Sequence, residues 1–379
     1  MLKAEEIYSW TKDLPVVDWH NHLSIADIAD DRPFGSLYEV WVKADPYKHR
    51  AMRVCGVPER LVTGDAPDAE KMAAWEATLP KLAGNPLYAW AQMELKFLES
   101  HPLETLSPQK ILRAFNVKYA SPCVAAGEIS AAAAASRRLP ADLRIVPSLR
   151  MNFGDAVPED TLEAFDAAGC RVVDVSVDDL ADGTSGVLNG VGRFAAAHGW
   201  TMLLHLGALR ETSARLRAVA GPAGGFAGMR APVDPRQVAL LLDGLERDRA
   251  LPRTVLLSLN PEAHAQLAIL AGSFVEDGVP GKVQLGPAWW WCDHREGIFD
   301  VFEKNAAYSV LSTFVGMTTD SRSYLSFVRH DYFRRLLARW LAQKVADGDF
   351  PDDETVLRPL VENVCCRNAL DRVRSCDCP

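Results

Sequence analysis

Two histidines set two apart, His20 and His22, close the run Val16-Val17-Asp18-Trp19-His20-Asn21-His22-Leu23. On a strand, side chains at i and i+2 project from the same face. Neutral imidazoles paired in that way suit Zn²⁺ or a similar divalent ion. Two hydrogen-bonded histidines at a loop edge would share the spacing. A carboxylate closes another apolar run, Phe314-Val315-Gly316-Met317-Thr318-Thr319-Asp320-Ser321-Arg322. Asp320 could be a third ligand, a general base or the N-cap of a following helix. His205 ends Leu203-Leu204-His205 and could be a satisfied core residue, a partner behind a ligand or a substrate contact. Trp289, Trp290 and Trp291 offer either a sugar-stacking platform or packing at a rim.

Something must hold these residues at one mouth. Short apolar runs bounded by Gly, Pro or Asn predict strands over Val16–Trp19, Val117–Ala120, Arg144–Leu149, Arg171–Val175, Thr201–His205, Val255–Leu259, Lys282–Leu285 and Phe314–Met317. Helical patterns lie between most of them, as at Ala126–Arg138, Thr161–Ala168, Gly186–His198 and Pro235–Glu246. Repeated strand–helix units predict an α/β protein with a (β/α)8 TIM-like barrel. In a closed barrel the first and eighth strands are neighbours, which would bring Asp320 beside His20 and His22. The stretch 23–116 is too long for a plain connection. Its pieces Tyr38–Val42, Ala69–Leu82, Leu87–Phe97 and Pro108–Phe115 predict a helical insertion, a lid over the mouth, with residues 1–22 and 117–379 forming the barrel.

Composition narrows the class. The 379 residues carry 41 Lys and Arg against 50 Asp and Glu, a net charge of −9, which excludes a general nucleic-acid binder. No apolar run is long enough to span a membrane, and the N-terminus lacks the order of a signal peptide, so a cytoplasmic protein is expected. Eight cysteines are too sparse for a disulfide scaffold, and Cys376 and Cys378 read as tail thiols. Gly190-Val191-Gly192 imitates a dinucleotide loop but follows no predicted strand.

The motifs go further together. Asp18-Trp19-His20-Asn21-His22-Leu23, Asp31-Arg32-Pro33-Phe34, Arg50-Ala51-Met52-Arg53, Gly84-Asn85-Pro86-Leu87-Tyr88, His205-Leu206-Gly207-Ala208-Leu209-Arg210, Ser258-Leu259-Asn260-Pro261, Gly286-Pro287-Ala288-Trp289-Trp290 and Gly316-Met317-Thr318-Thr319-Asp320-Ser321-Arg322-Ser323 occur in order. With them the chain resembles, over nearly its whole length, the uronate isomerases of the amidohydrolase superfamily. The resemblance implies that the barrel is distorted and holds one divalent metal, usually zinc, on His20, His22 and Asp320. It implies that Tyr47 and Asp320 act near C2 of a sugar acid, with His205 close by. Arg150 and Arg322 match active-site arginines, and His49 and Trp289 are expected at the substrate. The implied reaction is aldose–ketose interconversion of hexuronates, D-glucuronate to D-fructuronate and D-galacturonate to D-tagaturonate. A homo-oligomer acting on a small sugar acid is expected, with no nucleic acid or membrane partner. A metal-dependent hydrolase or lactonase of the same superfamily is the alternative.

Departures from the family pattern fall on the sugar-binding shell. The chain is shortened between Phe97 and Asn116 and again between Arg150 and Gly169. A substrate-facing histidine is replaced by Pro46 and a tryptophan by His49. Val173-Asp174-Val175-Ser176 lacks the family's histidine, Arg150-Met151-Asn152-Phe153 departs from Arg-Pro-Asp-Lys, and Leu370 replaces an arginine. Each lost hydrogen bond to a charged group is worth roughly 1.5–3 kcal/mol. Unless His49, Arg367 or Arg372 compensates, weakened hexuronate turnover is expected, with kcat/KM below about 10⁴ M⁻¹s⁻¹.

Overall fold

The β-branched pair Val16-Val17 opens the first strand, β1 (Val16–Asn21), which is buried along its whole length. β2 (Val117–Ala125), β3 (Ser148–Asn152), β4 (Val172–Val177), β5 (Thr201–Leu206), β6 (Arg253–Ser258) and β7 (Val283–Leu285) follow in the computed structural model, which describes residues 1–178, 180 and 185–374. The seven lie side by side in chain order, every pair parallel, as one curled sheet. Parallel order needs a crossover between neighbours, and helices such as Glu159–Ala167, Pro235–Glu246 and His264–Ala271 supply it. Both faces are therefore covered, and the strands read as near-continuous Val and Leu runs.

The predicted strand Arg144–Leu149 is broken by Pro147. Arg144–Ile145 pairs briefly with β2, and the ladder resumes at Ser148 as β3. A small antiparallel pair, Ala208–Leu209 with Gly228–Met229, follows β5.

The predicted strand Phe314–Met317 is absent; the segment runs beside β1 and β7 without a ladder of its own. Gly316 at φ 74° and Asp320 at φ 46° are left-handed, and a strand cannot be continued through such residues. Gly316 is required here, because a Cβ would meet the Val364 carbonyl oxygen at 2.0 Å. The segment is tied instead by single bonds. The Val315 N–H donates to Gln284 Oε1 at 2.7 Å, the Asp320 N–H to the His20 carbonyl at 3.1 Å, and the His22 N–H to the Ser321 carbonyl at 2.8 Å.

Between β1 and β2 the chain forms helices Ile25–Asp30, Leu37–Trp41, Pro46–Val54, Asp68–Thr78, Pro86–Ser100 and Pro108–Ala114. Ser24, Ser36, Asp45 and Asn85 each accept a first-turn N–H and so mark four starts. Leu37–Trp41 and Pro46–Val54 pack on Asp68–Thr78, whose Trp75 is fully buried edge-on against Trp41 at 6.0 Å. Pro46–Val54 has no continuous apolar stripe and was not predicted, although Asp45-Pro46 is a cap followed by Pro at N1. No described helix is long and apolar enough to cross a membrane. Gly190 and Gly192 lie in a helix, and Cys376 and Cys378 lie outside the described residues.

Candidate active site

β1 carries His20, His22 follows one residue past its end, and the buried carboxylate of Asp18 organises the ground beneath them. Asp18 accepts the Thr319 N–H at 2.6 Å, the Thr319 hydroxyl at 2.7 Å, the Thr318 hydroxyl at 2.9 Å and the Asn21 amide at 2.9 Å. His330 Nε2 lies 3.2 Å from the same carboxylate. Burial would raise its pKa, but His330 and Thr319 outweigh that and hold it low. The anchored segment carries Asp320 next in sequence.

Asp320 Oδ1 lies 3.0 Å from Nε2 of both His20 and His22. Its Oδ2 is buried and has no partner among the described residues. Burial would raise this carboxyl, yet the two imidazoles hold it well below the usual range. Burial also pushes His22 down to about 4. Two imidazoles, once their Nε2 protons are given up, and a carboxylate are a fitting donor set for a divalent ion. Tetrahedral bonds of about 2.0–2.2 Å put neighbouring donors roughly 3.3–3.6 Å apart, close to these spacings. Among the described residues, donors that all lie within 4.8 Å of one another are found in His20 with His22 and Cys123 and in His20 with Asp174 and His205, not in the trio with Asp320.

Tyr47 reaches the cavity from the helix Pro46–Val54, whose first turn is held by Asp45 accepting the Tyr47 N–H at 2.9 Å. Its ring stands edge-on to Trp90 at 6.0 Å and to Trp291 at 5.8 Å. Burial first, and nearby carboxylates after it, push its hydroxyl pKa far up, against the pull of Arg329. Pro46 also lines the cavity, and the loop through Gly225 lies so close that a Cβ there would meet the Pro46 carbonyl at 2.2 Å. His49 is different. Two positions along a helix turn a side chain by about 200°, so His49 points away from the cavity Tyr47 faces and is buried, its Nε2 unpartnered. His49, expected at the substrate, does not line the cavity.

His20, His22, Tyr47, Arg150, His205, Trp289, Asp320 and Arg322 all line one cavity of about 480 Å³. Arg150 ion-pairs with Asp174 and donates to Ser176 Oγ at 2.8 Å. Arg322 is exposed at the mouth and makes no ion pair among the described residues. Trp289 is buried edge-on against His205, centroids 4.6 Å apart. The Trp290 ring lies under Arg210 at 5.1 Å and Trp291 under Arg50 at 4.3 Å, so two of the three tryptophans are stacked on guanidinium groups.

The sequence did not single out Cys123, Arg210 and Arg217, which also line the cavity, nor Asp174 behind it. The signal was strand register: Cys123 is opposite Ser148, Arg150 opposite Asp174 and Ser176 opposite His205. Arg367 and Arg372 do not compensate for the altered shell. Arg367 pairs with Glu362 at 2.6 Å, and the buried Arg372 donates to the Gly281 carbonyl. Arg210 and Arg217 are the additional cations at the cavity, the former donating to Asp178 at 3.1 Å and the latter paired with Glu211 at 3.1 Å.

A family model described as glucuronate isomerase matches residues 2–131 and 148–372. A uronate isomerase of Salmonella arizonae is 32% identical over 96% of this chain and 94% of its own length. One from Halalkalibacterium halodurans is 33% identical over 97% and 94%. Among solved structures, a uronate isomerase from Thermotoga maritima superimposes with a TM-score of 0.86 at 24% identity, covering 98% of this chain and 97% of that one. A glucuronate isomerase from Caulobacter crescentus does so with 0.83 at 19% identity, covering 99% and 94%. At those identities the two superpositions speak for the fold alone.

Proposed function

The chain belongs to the glucuronate isomerase family, and on that premise we propose how its cavity interconverts the aldose and ketose forms of a hexuronate. The observation that carries the reading is the free Oδ2 of Asp320, buried beside two converging imidazoles in a cavity rich in guanidinium groups.

His20, His22 and Asp320 would hold the divalent ion, which we take to be Zn²⁺ from the nitrogen and carboxylate donors, and which when bound supplies Lewis acidity toward the sugar oxygens. Moving the carbonyl from C1 to C2 requires a proton to leave C2 and one to arrive at C1, while the hydroxyl proton passes from O2 to O1. Asp320, held ionised, takes the C2 proton on Oδ2 and returns it to C1. Tyr47 stays protonated at every working pH, because burial disfavours its phenolate. It therefore donates to O1 and is reprotonated from O2. Arg150 and Arg322 receive the carboxylate, whose two oxygens match a planar fork. His205 accepts a sugar hydroxyl, and Trp289 walls the same side.

The helical stretch 23–116 acts as the lid, bringing Tyr47 onto the mouth. Residues 314–321 act as the eighth stave of a barrel in place of a strand. The hydrolase alternative is not favoured, since the family and the full-length relatives carry isomerase names.

Purified, metal-loaded protein given D-glucuronate and D-galacturonate, with products identified by NMR, tests the reading. Ketose product is expected. Recovery of both sugars unchanged would overturn it. The specificity constant measures the altered shell separately.

A further inference from the structure

Three side chains of the cavity region hang on one buried carboxylate. Asp174 on β4 is the register partner of Arg150 on β3 and fully buried. Its Oδ1 lies 2.7 Å from Nδ1 of His205 on β5. Its Oδ2 takes the guanidinium of Arg150 and the thiol of Cys123, the latter at 3.4 Å. The proton positions follow by counting. A carboxylate paired with a guanidinium is ionised and only accepts, so the proton between Asp174 and His205 sits on Nδ1. A neutral imidazole with Nδ1–H has a bare lone pair on Nε2. That Nε2 is buried, has no partner among the described residues, and belongs to a residue lining the cavity.

The same counting continues through Cys123. Its single proton goes to Asp174, so its sulfur meets His20 Nδ1, 3.4 Å away, as an acceptor. His20 Nε2 then donates to the ionised Asp320 and would give up that proton to a metal. A ligating histidine steadied through its second nitrogen is the usual arrangement at a metal site, here with sulfur in place of the more common oxygen.

Resting on the reading of the cavity given above, we infer that Asp174 is a positioning residue: one buried carboxylate fixes the Nδ1–H tautomer of His205, the pose of Arg150 and, through Cys123, the orientation of His20, so that His205 offers a bare Nε2 to a substrate hydroxyl.

Asp174→Asn keeps the size and removes the charge. An asparagine behind a histidine can turn it into the other tautomer. The ¹⁵N spectrum of the wild-type protein should show His205 protonated on Nδ1, and the variant should lose that pattern. Its kcat should fall by about tenfold or more while KM for a uronate rises, since His205 and Arg150 both lose their bearing. An unchanged ¹⁵N pattern with both constants within about twofold of wild type would overturn the inference. A variant that is merely less stable would keep the wild-type tautomer, and that result also counts against it.

Cys123→Ala and Cys123→Ser test the branch to His20 and suffice should Asp174→Asn fail to fold. Competition with a chelator should find zinc affinity reduced roughly 10–100-fold in Cys123→Ala and largely restored in Cys123→Ser, whose hydroxyl can donate and accept in the same way. Equal affinity in all three proteins would refute that branch. If wild-type protein turns over no uronate while Asp174→Asn still changes the His205 tautomer, the functional reading falls and the positioning role stands.

Discussion

Asp18 and Thr319 are 301 positions apart in sequence and doubly bonded, the carboxylate accepting both the N–H of Thr319 at 2.6 Å and its hydroxyl at 2.7 Å. One end of this clamp lies on the strand that carries His20 and leads into His22. The other lies one residue before Asp320. The three side chains meet because this pair, together with the backbone bonds from Asp320 to His20 and from His22 to Ser321, holds their two segments together where no β-ladder does. Asp320 pays for its place with a left-handed backbone, φ 46°, of the kind that persists only when its surroundings enforce it.

Breaking the clamp should therefore cost both stability and metal. Asp18→Ala leaves Thr318, Thr319, Asn21 and His330 without their shared acceptor. Urea unfolding should show a loss of about 3–5 kcal/mol, the range for removing one partner of a buried charged network. Zinc affinity should drop by at least about tenfold. A variant with wild-type stability and metal content would show that the segment is held by other means.

His20→Ala removes a donor outright. Elemental analysis should find about one divalent ion per wild-type chain and close to none in the variant, as expected when one of three protein ligands is deleted. Equal content in the two proteins would exclude His20, His22 and Asp320 as the metal site.

Tyr47→Phe deletes only the hydroxyl and leaves its ring between Trp90 and Trp291. The kcat should fall by about 10²-fold or more, the usual scale for a positioned acid or base, with KM little changed. An undiminished kcat would take Tyr47 out of the proton transfer.

The two arginines should differ in kind. Arg322 is exposed and has no ion pair among the described residues, so Arg322→Met should raise KM for uronates and leave the melting temperature in place. Arg150 neutralises Asp174. Arg150→Met should raise KM and also destabilise the protein by about 3–5 kcal/mol, because a carboxylate is left buried and unpaired. A destabilised Arg322→Met, or an Arg150→Met of unchanged stability, would contradict these placements.

His49 makes the protein acid-sensitive. Burial, opposed only in part by Asp45, lowers its pKa from 6.5 to about 4. The unfolded chain thus binds a proton that the folded one refuses. Its contribution is complete above pH 6.5 and is lost as the pH falls toward 4, amounting to at most about 3 kcal/mol. His49→Gln should flatten the stability profile in that window. An unaltered slope between pH 6.5 and 4 would show that His49 is protonated in the fold.

The sequence alone determined the alternating strands and helices, the same-face pair His20 and His22, and the residue types a metal-assisted proton transfer needs. These are local properties: a period of two, a turn residue, a cap. It also carried the family motifs, among them Asp320, Tyr47 and Arg150. Tertiary structure decided which side chains share the cavity. Helical rotation sent His49 away from it while Tyr47 faced in. Positive φ at Gly316 and Asp320 replaced an expected strand with a segment pinned by Asp18. The register of three parallel strands set Asp174 between Arg150 and His205, which no spacing along the chain encodes, because partners on neighbouring strands are fixed by how crossovers pack.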